Sequence, residues 1–346
     1  MQYKIMDKPD YGAITACIGD NPKQRRWRDN PTWGRDLLQF HAPDSRSYLG
    51  AYQGEDLVGC MIAHPDKLQI RGTVFNAAII AITEVRIANR HQGIATELLA
   101  KMLNQLSELK FDIVLGFLIA DRGGTNILKQ AGFQRIHKYE HAGKALDKDK
   151  MDKLMDLNPV LRKIALKIVD SSIGDTSPPY GIIREATDKD LNQIVTLLNA
   201  EIARLDISSV WTTDYLKRKM DWRYKIFVFE DRGTILGSII SYEEVATLGK
   251  DYFTSGLLKE MVFAEGVEEE TKKILMNFVL NHFKERGIPS VSYPYPKNMM
   301  DVMKKTGFNV LPGDERSVYI KPLCDAAQQV LETAEKFRFV NVFLIC

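Results

Sequence analysis

The feature that most constrains this chain is a change of hydrophobic period at residue 90. Residues 73–88 form a long apolar run of strand character. From Gly93 to position 109 the period is helical: Ile94, Leu98, Leu99, Met102, Leu103 and Leu106 share one face, and Glu97, Lys101, Gln105 and Glu108 share the other. A short, continuous apolar strand follows at 111–119, the pattern of a strand covered on both sides. Strand, amphipathic helix and buried strand in succession predict a mixed α/β sheet flanked by helices.

The same order of parts occurs twice. In the first unit, strands at 48–52 and 57–63 flank the turn Gln53-Gly54-Glu55-Asp56. After the strand at 111–119, a short helix at 125–130 stops at Ala131-Gly132-Phe133, with Gly132 as the left-handed terminator. In the second unit a strand at 182–184 leads into a helix at 189–204. Strands at 226–230 and 235–242 pair around Asp231-Arg232-Gly233. Then come a central strand at 257–263, a helix at 270–286, a strand at 291–295 and a helix at 298–306 that ends at Gly307-Phe308.

The predicted fold class is therefore α/β, with two tandem domains, each a mixed twisted sheet flanked by helices. The expected boundaries are 1–143 and 181–322. A linker at 144–180 carries a helix from Asn158-Pro159 and a hinge at 171–179, and a tail at 323–346 carries a helix and an apolar strand at 340–345.

Composition narrows the classes of function. Of the 346 residues 45% are hydrophobic and 27% charged, which suffices for two cores. Net charge is +2; residues 1–145 carry 19 Lys/Arg against 15 Asp/Glu, and the remainder 28 against 30. Neither half has the cationic excess of a protein that tracks nucleic acid, so no nucleic-acid partner is expected. Cys17, Cys60, Cys324 and Cys346 lie far apart, and the six histidines show no ligand spacing, so no disulfide framework and no metal site is expected. The N-terminus lacks a signal-peptide core, and no run approaches the roughly 20 apolar residues of a membrane span. The expectation is a cytoplasmic protein with no membrane partner.

The junction Arg90-His91-Gln92-Gly93-Ile94-Ala95 opens a helix directly after a strand. Unpaired N–H groups of a first helical turn point at an anion, and the helix dipole adds roughly +0.5 charge there. Gly93 has no side chain to hold a phosphate off, Ala95 is small, and Arg90 adds a positive charge. The pattern resembles that of the GCN5-related N-acetyltransferase (GNAT) family, [QR]-x-x-G-x-[GA], which Arg90, Gly93 and Ala95 match. The strand 84–89 has the family's spacing, with Ile87 where proline is common, and Ala131-Gly132-Phe133 resembles the second hallmark. The resemblance covers most of 48–140 by motif and 182–322 by order of parts.

The resemblance implies acetyl-CoA as co-substrate and a small-molecule or peptide primary amine as acceptor, joined by direct attack in a ternary complex. It implies that the main chain at Val85, Arg86 and Ile87 meets the pantetheine and thioester. It further implies that Arg90 and the backbone of His91, Gln92, Gly93, Ile94, Ala95 and Thr96 hold the pyrophosphate. Gly116 fits either a close backbone approach to the cofactor or plain helix packing. In the second unit Glu265-Gly266-Val267-Glu268-Glu269-Glu270 stands where the glycine signature belongs. Carboxylates there repel pyrophosphate, so this domain is expected to keep the fold without the site.

Catalytic groups follow the family less closely. Its frequent acid, a Tyr four residues before the Gly-Phe glycine, is Leu128 here; Tyr139 and His137 on the following segment are candidate substitutes, with ordinary core or surface roles as the alternative for each. The frequent base positions near Ile79 and Ala81 are apolar. Glu84 is the strand's one carboxylate, with an ion pair to Arg86 as its alternative role. The second base candidate is the terminal carboxylate of Cys346, at the end of an apolar tail. Lys23, Arg25, Arg26 and Arg28 around Trp27 form either an anion-recruiting cluster or a solvated face. Two other functions remain open: a non-catalytic acetyl-CoA sensor or scaffold, and a Fem-like aminoacyl-tRNA-dependent peptidyltransferase, against which the intact motif counts.

Overall fold

The structure is a computed structural model that describes all residues except 7–8, 22–23, 25, 42–47, 120–123, 140, 155–171, 249–250, 295–299, 311–315, 333–339 and 342–346. In chain order the first part contains β1 (Gln2–Ile5), α1 (Tyr11–Gly19), α2 (Arg26–Asp29), α3 (Pro31–His41), β2 (Tyr48–Gln53), β3 (Asp56–Ile70) and β4 (Thr73–Val85). It continues with α4 (Ile94–Glu108), β5 (Ile113–Ile119), α5 (Gly124–Gln130), β6 (Gln134–Tyr139), β7 (His141–Ala145) and α6 (Lys148–Leu154). Then come β8 (Ile182–Glu185), α7 (Leu191–Ile202), β9 (Ile207–Ser209), α8 (Thr213–Trp222), β10 (Lys225–Asp231), β11 (Thr234–Leu248), β12 (Asp251–Phe263) and α9 (Glu269–Glu285). The last elements are β13 (Ser290–Pro294), α10 (Met300–Lys305), β14 (Asn309–Val310), β15 (Arg316–Pro322), α11 (Asp325–Glu332) and β16 (Val340–Asn341).

Two compact units result: residues 1–138 with 206–210 and 316–346, and residues 139–205 with 211–315. The sheet of the first runs β1-β2-β3-β4-β5-β15-β6, with β9 on β3 and β16 on β9. That of the second runs β14-β7-β13-β12-β11-β10-β8. Both are mixed: β4 and β5 are parallel in one, β12 and β13 in the other, and their other neighbours are antiparallel. The contiguous boundaries expected from the sequence differ from this. His141–Ala145, which the expected cut at 143 divides, is a strand of the second sheet, and Arg316–Pro322, expected in the second domain, lies along β5 in the first. Lys144, expected in the linker, pairs with Val291. The expected helix from Asn158 falls outside the described residues. At the expected hinge, the Asp175 carbonyl accepts a 3.0 Å bond from Asn277 Nδ2 on α9, which ties that stretch to the second unit.

α4 shows how local pattern becomes core. Ile94, Leu98, Leu99, Met102 and Leu106 are buried against Met61, Ala78, Ile80 and Val85 of β3 and β4, while the opposite face carries the Glu97–Lys101 pair at 3.4 Å. On the sheet's other side α1 is capped by Asp10, whose Oδ1 accepts from Ala13 N at 3.0 Å, and buries Ile14, Cys17 and Ile18.

In the second unit Arg184 on β8 donates to both oxygens of Asp190, at 2.7 and 2.8 Å, and also to Glu230 on β10. Asp190 also accepts from Thr187 N at 2.7 Å, which completes a capping box. The guanidinium beside it, with the Thr187 bonds, holds the Asp190 carboxyl well below the usual carboxylate range. The unfolded chain therefore binds this proton more readily. The stabilisation is present above the unfolded value near ~4 and is lost as pH falls through the folded one. Asp190→Asn is expected to lower stability by about 2 kcal/mol at pH 7. Urea melts at pH 7 and at pH 3 should show the gap to wild type narrowing in acid; a gap independent of pH refutes the assignment.

Candidate functional site

The first unit's sheet opens where β4 and β5 part. Their parallel pairing covers Ala77 to Ile80 against Ile113 to Gly116. Beyond it β4 continues to Val85 on β3 alone, and β5 continues to Ile119 on β15 alone. A bulge on β4 between Ile80 and Ile82, at Ala81, accompanies the divergence. Among the described residues no strand pairs with the second edge of 81–85, which faces the opened gap.

At the end of β4 the chain turns through a short 3-10 segment, Ile87–Asn89, into α4. His91 (φ +62°) and Gly93 (φ +78°) are both left-handed, and Gly93 is the N-cap of α4 with no side-chain cap bond. The first intrahelical bond runs from Glu97 N to Gly93 O at 3.0 Å. The N–H groups of Ile94, Ala95 and Thr96 precede it and lack intrahelical acceptors. His91, Gln92, Gly93 and Thr96 are exposed, and a Cβ added at Gly93 would meet nothing within 4 Å. This open, left-handed helix start with exposed donors fits a pyrophosphate.

The neighbouring main chain is more heavily engaged than the resemblance implies. Arg86 N donates to Val58 O at 2.9 Å, and Ile87 N donates to Asp20 Oδ2 at 2.7 Å. The Val85 carbonyl accepts from Arg90 Nε at 3.0 Å. Of the residues expected along the pantetheine, all three have a main-chain group already committed within the protein.

Glu84 pairs with Arg90, not with Arg86 as the strand spacing suggests: Arg90 Nη2 donates to Glu84 Oε1 at 2.7 Å. Asn21 Nδ2, just past the end of α1, donates to Glu84 Oε2 at 3.2 Å. Asn21 and Asp20 escaped the sequence analysis because they lie more than 60 residues from their partners; the one available signal was a polar pair following a capped, apolar helix. Among the sequence candidates, Glu84, Val85, Arg86, Ile87 and 90–96 form one continuous segment of the first unit. Tyr139 is buried beside the His141 ring, with centroids 5.9 Å apart, and is grouped with the second unit. Cys346 lies outside the described residues, as do Lys23 and Arg25. Trp27 is buried, with its ring where a Cβ on Gly34 would come within 2.7 Å, so it is a core residue.

The alternatives at Gly116 resolve toward packing. A Cβ there would meet Leu128 Cδ1 at 3.0 Å, and Leu128 belongs to the α4 core. Leu128→Tyr therefore overfills a packed site, and a loss of about 1–3 kcal/mol is expected on thermal melting. The substitution should change turnover by less than about tenfold, because expelling a thiol of pKa ~8.5 as thiolate costs only ~2 kcal/mol at pH 7. A hundredfold gain in kcat would show that protonation of the leaving group limits the reaction.

The second unit repeats the divergence: β12 and β13 pair only at Gly256–Val291 and Leu257–Ser292, with a register shift on β12 beyond Leu258. Its helix start differs. Glu268 is the N-cap of α9, with Glu269 and Glu270 in the first turn, and Lys305 Nζ lies 3.2 Å from Glu269. Among the described residues no cluster of His, Cys, Asp and Glu could hold a metal ion, and no helix is long and apolar enough to cross a membrane.

Residues 14–134 match the family model described as an acetyltransferase (GNAT) domain. No curated protein matches the sequence. Solved structures share the fold along nearly the whole chain. Saccharomyces cerevisiae N-myristoyltransferase with bound myristoyl-CoA superposes with a TM-score of 0.72 at 12% identity, covering 93% of this chain and 78% of that one. A GCN5-related N-acetyltransferase from Anabaena variabilis superposes with a TM-score of 0.60 at 11% identity, covering 94% and 74%.

Proposed function

We propose that this chain, a two-lobed protein of the GNAT acyltransferase fold whose residues 14–134 match the family's model, is an acyl-CoA-dependent N-acyltransferase using acetyl-CoA. The observation that carries this is the conjunction in one unit of diverging strands β4 and β5 with an open, left-handed Gly93 at the start of α4. The backbone N–H groups of residues 91–96 would hold the pyrophosphate, and the edge of residues 81–85 that faces the gap would receive the pantetheine. The acceptor is a primary amine of a small molecule or peptide. Its neutral nitrogen attacks the thioester carbonyl, a C–N bond forms, the C–S bond breaks, and CoA leaves as thiolate. Glu84, the carboxylate at that edge, takes the amine proton. An alkylamine of pKa ~10.4 costs about 4–5 kcal/mol to deprotonate at pH 7, so the base matters more than the acid.

The second unit supports structure or substrate shape and does not bind cofactor, because carboxylates occupy its helix start. One acyl-CoA per chain is expected. Isothermal calorimetry with acetyl-CoA tests this; a stoichiometry of two contradicts the assignment, and no heat at millimolar ligand refutes the function. Because the superposed yeast enzyme holds myristoyl-CoA, the titration includes that donor. Tighter binding of the long chain would overturn the choice of acetyl-CoA and leave the acyltransferase proposal standing.

A further inference from the structure

Glu84 and Arg90 cannot both serve as proposed while bound to each other. A base needs an oxygen free to take a proton, and a phosphate-binding arginine must present its guanidinium at the helix start. Instead Arg90 spans the Glu84 carboxylate at 2.7 Å and the Val85 carbonyl at 3.0 Å. The second partner of Glu84 is of a different kind. Asn21 is neutral and bonds Oε2 at 3.2 Å, and the adjoining Asp20 is fixed to Ile87 N at 2.7 Å. Arg90 is a cation, its side chain 36% exposed against 15% for Glu84, and it stands three residues before the open glycine. An anion at 91–96 competes for the cation and has little claim on the neutral amide.

We propose that Arg90 is a positioning residue that acts as a latch: it holds Glu84 in the free protein and exchanges it for the cofactor phosphates, leaving Glu84 oriented by Asn21 with Oε1 open to the acceptor amine. This rests on the proposed function and deepens it, since it makes cofactor binding the event that frees the base. Linkage follows directly. The ion pair competes with the cofactor for one guanidinium, so breaking the pair must tighten cofactor binding.

The test uses the full chain and coenzyme A itself, which binds without turning over. The Arg90 Nε–Hε resonance, assigned by its loss in Arg90→Lys, is expected to shift on saturation with coenzyme A. In calorimetry Glu84→Gln is expected to bind coenzyme A about two- to fivefold more tightly than wild type, the worth of a partly exposed ion pair. Asn21→Leu should leave that affinity unchanged and lower kcat by about tenfold through loss of orientation. A purely structural Arg90 predicts a resonance that stays in place and a Glu84→Gln affinity that is equal or weaker. That result overturns the latch while the cofactor site stands. Failure of the wild-type chain to bind coenzyme A overturns both. If Glu84→Gln does not fold, the wild-type resonance decides alone.

Discussion

Gly93→Glu is expected to abolish acyl-CoA binding, with affinity down at least about a hundredfold by calorimetry. Two effects act together. The left-handed backbone at φ +78° costs any L side chain ~1–2 kcal/mol. The carboxylate also enters the space that would receive phosphate, and like charges ~4 Å apart repel by about 4 kcal/mol at an effective dielectric of 20. Gly93→Ala separates the two. Its Cβ meets nothing within 4 Å, so it carries the backbone cost alone, and its affinity should fall by no more than about thirtyfold. Equal losses in both variants would mean that helix-start geometry, and not charge, explains the effect. Unchanged affinity in Gly93→Glu would remove the cofactor site from this junction.

The second large effect concerns the base. Glu84→Gln keeps the size of the side chain and removes its ability to take a proton. A fall in kcat/KM of about a hundredfold is expected, with coenzyme A bound about two- to fivefold more tightly. The split between the two constants matters, because a merely structural Glu84 would lose binding and turnover together when its bonds to Asn21 and Arg90 are disturbed. Turnover within about threefold of wild type would take the base role from Glu84.

The two effects concern residues only a few positions apart, yet they differ in how far the sequence reveals them. Gly93 is legible from its neighbours alone, because a change of hydrophobic period, a glycine and a small residue define a helix start that leaves donors exposed. The environment of Glu84 is not legible in that way. Strand spacing places Arg86 on the same face, but beyond Val85 the chain leaves the strand for a 3-10 segment, and that turn brings Arg90 back onto the carboxylate. Asn21 reaches the same group from 63 positions away because α1 packs across β3 and β4.

The elements themselves are local, and the sequence by itself determined most of them: the apolar face of α4, the repeated order of strand and helix, and the acidic start of α9 that sets the second unit apart. Their periods of 2 and 3.6 act over a few residues, where side-chain direction follows from backbone geometry. The tertiary structure alone decided which strands share a sheet. β7 and β15 each lie in the unit that chain order does not assign them. Strand pairing depends on hydrogen bonds between distant segments, and an apolar strand satisfies either sheet equally well by composition. Such an exchange leaves no mark in local periodicity, and neither do the charge partners that meet only when α1 and the β4 turn are packed together.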